Sequence, residues 1–171
     1  MWFLGEPEIR SWCQPHKMLG ADLKPTPPLE AFDRGRFSVG EVPVSLIRLV
    51  TDQVVRAIGP WEESLLIVRP SNSWNRENFH LYYRLRQSYG DFQRLNRTMG
   101  HCFLAYEEQD LISFLQVVIL NQWNGFVFSA QDYGRALVFD NGIVELLSRD
   151  GSDLSKALET LRGNGISTDV E

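Results

Sequence analysis

All eight prolines fall within the first 70 residues, at positions 7, 15, 25, 27, 28, 43, 60 and 70, and Ser71 to Glu171 contains none. Proline fixes φ and removes a backbone donor, so this asymmetry predicts an irregular front and a regular rear. Residues 14–42 hold Lys24-Pro25-Thr26-Pro27-Pro28 but also Met18, Leu19, Leu23, Leu29, Phe32 and Phe37. That is too apolar for a free linker, and residues 1–42 read as an arm packed on a domain spanning 43–163. Residues 164–171 read as a frayed tail.

In the rear the hydrophobic period changes repeatedly. After Pro43, Leu46, Leu49, Val50, Val54, Ala57 and Ile58 recur at helical spacing until Gly59-Pro60. Ser64 to Arg69 is a short continuous apolar run, the pattern of a buried strand. A helix is expected over 76–89, closed by Gly90, then a strand over 101–106. The helix that follows to about Gln122 is apolar almost all round, which predicts a central, buried element. Three short strands come next, at 126–128, 136–139 and 143–147, the last two joined by Asp140-Asn141-Gly142. An amphipathic helix over 152–162 completes the series.

The order α-β-α-β-α-β-β-β-α predicts an α/β fold, with α+β as the alternative. Two β–α–β steps read as parallel, right-handed crossovers and the last three strands as an antiparallel meander. The expected architecture is a mixed sheet of about five strands with helices on both faces.

The net charge of −5 is unevenly spread. Residues 1–68 carry −2, residues 69–105 carry +4, and residues 106–171 carry −7. An overall acidic field argues against general nucleic-acid binding, while the local arginines leave RNA as a variant. No apolar run is long enough to cross a membrane, and the opening residues lack a signal peptide. Two cysteines suit a reducing, cytoplasmic setting.

Chemical motifs are scarce. Cys13, His16, His101 and Cys102 have a zinc-like composition, but adjacent strand residues such as His101 and Cys102 point to opposite faces. The same opposition removes a Cys102–His101 nucleophile pair. No glycine-rich phosphate loop or nucleophile elbow is present, and no metal or cofactor is expected.

Two surfaces remain. On the helix over 76–89, Arg76, His80, Tyr83, Arg84 and Gln87 share one stripe, with Phe79, Tyr82, Leu85 and Tyr89 opposite. Arginine beside exposed tyrosine is the composition of an interface anchor, although a solvated face has it too. In a parallel sheet the carboxyl ends of strands 64–69 and 101–106 would meet. They would bring together Arg69, Ser71, Asn72, Ser73, Trp74, Glu107 and Glu108 as a small-ligand or anion site. The bland reading there is helix capping and a pairing of Arg69 with one of the acids.

The leading expectation is an intracellular, non-enzymatic protein-binding or regulatory domain, in the manner of an inhibitor or immunity protein, using the Arg/Tyr helix face. The alternative is a small-ligand site or enzyme at the strand ends. A structural subunit, pairing the apolar arm with a second copy, is a third class. Monomer and homodimer both fit.

Overall fold

The computed structural model describes residues 1–14, 32–69, 74–94, 97–129, 134–149 and 151–170. In chain order the elements are β1 (Trp2–Leu4), α1 (Glu6–Cys13), β2 (Asp33–Ser38), α2 (Ile47–Ile58), β3 (Glu63–Arg69), α3 (Arg76–Ser88), β4 (Gly100–Leu104), α4 (Glu108–Leu120), β5 (Asn124–Ser129), β6 (Arg135–Asp140), β7 (Ile143–Ser148), α5 (Gly151–Gly163) and β8 (Asp169–Val170). Short 3-10 turns precede α2 and α4.

The strands form one eight-stranded sheet in the order β1-β4-β3-β5-β6-β7-β2-β8, and every neighbouring pair is antiparallel. The expected mixed sheet of about five strands is corrected on both counts. The step from β3 through α3 to β4 is not a parallel crossover, since Glu63 faces Leu104 and Ile67 faces Gly100. By contrast β4 and β5 both run antiparallel to β3, which lies between them, so the step through α4 does join two parallel strands. The β5–β6–β7 meander holds as expected.

The missed strands come from stretches without a clear period. Residues 1–14 and 32–42, read as part of an irregular arm, supply β1, α1 and β2; residues 15–31 lie outside the described residues. The tail read as frayed is tied down, for Ile166 is buried and β8 pairs with β2 at Gly35 and Arg36. Gly35 has its own steric reason. A Cβ there would stand 2.4 Å from Leu158 Cδ1, so α5 reaches the sheet only because this strand residue has no side chain.

Helices cover both faces. Leu66, Val68, Val127, Leu137, Phe139, Val144 and Leu146 point into the main core beneath α2, α4 and α5. The alternate residues Leu65, Ile67, Phe126, Phe128 and Ala136 face a second core with Ile9 and Cys13 of α1. Two-sided burial makes β3 a continuous apolar run, the same signature that a parallel strand carries. Helix α4 is less enclosed than its composition predicts: Leu120 is 47% exposed and Ser113, Gln116 and Val117 are half-buried. One side packs on the sheet and no layer lies beyond it among the described residues.

Candidate functional site

Helix α3 is positioned by polar anchors at both ends and beneath. Asn75 caps it, its Oδ1 accepting from the Asn78 N–H at 2.8 Å. Gly90, at φ +87, turns the chain away in a conformation that L side chains rarely adopt. Underneath, Tyr82 and Arg86 are fully buried. The Tyr82 hydroxyl lies 2.8 Å from His101 Nε2, and its ring meets Trp123 and Trp74 edge-on at 5.2 and 5.7 Å. Arg86 Nε donates to Asp91 Oδ2 at 2.8 Å, while Nη2 reaches Asp91, Thr98 and the Gln93 carbonyl. Tyr89 donates to Asp110 Oδ1 at 3.1 Å, which ties the end of α3 to the start of α4.

The Gly90 stop and the inward Tyr82 and Tyr89 were expected from the sequence, the buried Arg86 and its Asp91 partner were not, and the helix phase is corrected accordingly. Phe79, assigned to the inner side, is 46% exposed and leans edge-on against Trp74 at 5.2 Å. Arg86, which the wheel reading assigned to neither side, takes its place inside. The signal was present: Arg86 follows Tyr82 by one helical turn, and Asp91 stands just past the closing Gly90.

Burial sets the chemistry of this cluster. It pushes the His101 pKa down to about 3, with the nearby Arg86 charge acting in the same direction, so the ring is neutral. It pushes the Tyr82 phenol up. It raises Asp91 too, but hydrogen bonds from Arg86, the Gln93 N–H and Thr98 outweigh it, and the carboxyl titrates below its ordinary range. His101, Tyr82 and Arg86 have no solvent-accessible surface. They form a framework, not a reaction centre. His101 faces α3 and Cys102 the opposite side of the sheet; burial raises both the Cys102 and Cys13 thiols to about 12. Among the described residues no three His, Cys, Asp or Glu side chains gather as metal ligands.

The five stripe residues lie together on the outward side of α3. Arg76, His80 and Arg84 are exposed, Tyr83 is 39% exposed, and Gln87 is half-buried, 3.5 Å from Arg84 Nη1. Phe79 and Tyr83, one turn apart, add an aromatic ridge to the arginines.

The strand-end site does not assemble. Because β3 and β4 are antiparallel, Arg69 and Glu107 lie at opposite ends of the sheet, about 20 Å apart for a seven-residue strand. Arg69 stacks over Phe126 at 5.7 Å on the α1 side, whereas Trp74 is buried on the other side. Glu107 accepts from the Leu104 N–H at 2.9 Å and pairs with the Met1 ammonium. Glu108 edges an open groove of about 420 Å³ beside Trp61, remote from Arg69. Ser71, Asn72 and Ser73 lie outside the described residues.

No protein-family profile, curated protein or solved structure matches this chain.

Proposed function

We propose that the chain is a protein-binding domain whose docking face is the outer side of α3. The observation that carries this reading is the exposed pair Phe79 and Tyr83 among Arg76, His80 and Arg84, on a helix locked from beneath by Tyr82 and Arg86. Aromatic and arginine side chains are the groups that bury well and dominate interface energies. A rigid helix presents them with little ordering cost on association. The exposed Arg76 and Arg84 favour an acidic partner surface, drawn in faster at low salt.

The test compares immobilised wild type with Tyr83→Ala and Arg84→Glu in lysate of the source cells. A protein retained by wild type, lost by both variants and released by salt supports the proposal, provided the purified partner binds directly. Equal retention by all three overturns it. Retention of a single-stranded RNA oligonucleotide that depends on Arg84 would instead assign the face to nucleic acid.

A further inference from the structure

Four buried polar residues form a row across one end of the sheet, on its main-core face. Each stands two residues from a core side chain of its own strand: Ser64 from Leu66, Ser129 from Val127, Arg135 from Leu137 and Ser148 from Leu146. Ser64 faces Ser129 across β3 and β5, and Arg135 faces Ser148 across β6 and β7. Phe128 faces Ala136, so Ser129 and Arg135 continue the row between them. The Ser64 and Ser129 hydroxyls are fully buried with no hydrogen-bond partner. Alanine at either place would avoid that cost, and a buried hydroxyl left unsatisfied marks a place where another polar group can enter.

The same end of the sheet is open to solvent. Trp61 leads into β3 three residues before Ser64, and Ala105, just past β4, donates its N–H to the Glu62 carbonyl at 3.0 Å. Both line the groove of about 420 Å³ at the end of α2, with Val55 and Pro60 and the carboxylates of Glu108 and Asp153. Arg56, also at the groove, is turned to Asp52 at 3.0 Å. Asp153, in the first turn of α5, joins groove and row: Oδ2 lies 3.6 Å from Arg135 Nη2 and Oδ1 3.3 Å from Lys156 Nζ. At 3.6 Å the Arg135 contact is ionic and too long for a hydrogen bond, so a closer carboxylate competes with it.

Charge selects the ligand. A cation and an anion, Arg135 and Asp153, stand side by side, and Glu108 adds a second carboxylate. A simple anion would oppose both carboxylates, and a simple cation would oppose Arg135 and Lys156. A zwitterion meets each group with its opposite. The carboxylate of an α-amino acid matches the planar guanidinium, with the Ser129 hydroxyl as the next donor in the row. Its ammonium matches Asp153 and Glu108, and an apolar side chain matches Trp61, Val55 and Pro60.

We infer that this groove binds a free α-amino acid with an aliphatic or aromatic side chain, its carboxylate on Arg135 and Ser129 and its ammonium on Asp153. None of these residues belongs to α3, so the site is independent of the docking face.

Isothermal titration calorimetry on the whole chain tests this with L-leucine, L-phenylalanine, phenylacetate and phenethylamine. At least one of the two amino acids binds once per chain with a Kd at or below about 1 mM, and the two half-ligands bind about tenfold more weakly or worse. Ser129→Ala weakens the amino acid about tenfold with the melting temperature unchanged or raised. Asp153→Asn brings the amino acid down to the affinity of phenylacetate. Should Asp153→Asn fail to fold, Glu108→Gln, at an exposed position, tests the ammonium side in its place. No saturable binding of either amino acid up to about 10 mM overturns the inference. So does phenylacetate binding as tightly as the amino acids, or Ser129→Ala binding like wild type, which would leave the two hydroxyls to a buried water.

Discussion

Arg86 and Asp91, five positions apart, close on each other across the Gly90 turn with both side chains shut off from water. Thr98 donates to the same Asp91 oxygen at 2.9 Å and the Gln93 N–H satisfies the other. The stretch after α3 is thereby folded back onto the helix end. A pair of this kind gains little over apolar packing, but breaking it strands a charge in the interior. Arg86→Ala should therefore cost about 3–5 kcal/mol in urea unfolding. A loss below about 1 kcal/mol would show that water reaches Asp91 in the folded protein.

Acid should unfold this protein earlier than its carboxylates alone require. His101 titrates at about 3 when folded and near 6.5 when unfolded, so the unfolded chain takes up the proton first. The stability tied to neutral His101 is complete above pH 6.5 and falls as pH drops toward 3. The slope approaches about 1.4 kcal/mol per pH unit well below 6.5. Asp91, held below its ordinary value of 3.8, adds a loss in the same direction only at lower pH. Urea midpoints between pH 6.5 and 4.5 should decline for wild type and stay nearly flat for His101→Gln.

Substitutions on α3 should divide by side. Tyr83→Ala and Arg84→Glu should change stability by no more than about 0.5–1 kcal/mol, as at other exposed positions. Tyr82→Phe leaves His101 Nε2 without its hydroxyl and should cost about 1–3 kcal/mol. Leu85→Ala belongs between them, because Leu85 is only half-buried. Thermal melts of the four variants check the ranking, and a Tyr83→Ala that unfolds would place the helix in another phase.

Ser64 and Ser129 face each other on β3 and β5, both fully buried, and neither hydroxyl has a hydrogen-bond partner. An unpaired hydroxyl keeps its desolvation cost without a bond in return. Ser64→Ala or Ser129→Ala should accordingly be neutral or stabilising by up to about 1 kcal/mol, the reverse of most core changes. Destabilisation above about 1 kcal/mol in urea melts would reveal a bond that each hydroxyl makes in solution.

Both thiols are buried, and burial raises each to about 12. Native protein at pH 8 should resist a thiol-specific disulfide reagent for as long as it stays folded, then react at both cysteines in denaturant. Immediate reaction of the native protein at either cysteine would place that thiol at the surface.

The local periods of 3.6 and 2 were legible in the sequence, and α2, α3, α4, α5 and the β5–β7 meander lie within a few residues of where they predict. Strand direction was not. A thirty-residue stretch separates Arg69 from Gly100 and holds, besides α3, enough chain to return to either end of the sheet. The same apolar run suits a parallel strand or an antiparallel one covered on both sides, as β3 is. Nor did β2 announce itself, since Asp33-Arg34-Gly35 lacks the branched and aromatic residues that mark strands. The outward stripe of α3 followed from its wheel; Arg86 did not, because a buried arginine is recognised only through the Asp91 and Thr98 that receive it.

Strand β2 pairs along its whole length with β7, from Asp33 opposite Ser148 to Ser38 opposite Ile143. Its partner is made roughly 110 residues later, a wait of about 5–20 s at ordinary rates of chain elongation. Until then Asp33–Ser38 is an open edge that anything nearby could extend, and loop closure over such a span makes its docking a slow step. Arg34 and Arg36, side by side on one face of this short strand, are the charges that discourage premature partners. In the finished sheet Arg34 sits 3.9 Å from Glu145 and Arg36 3.3 Å from Asp169, so the guards of the nascent edge end as its fasteners.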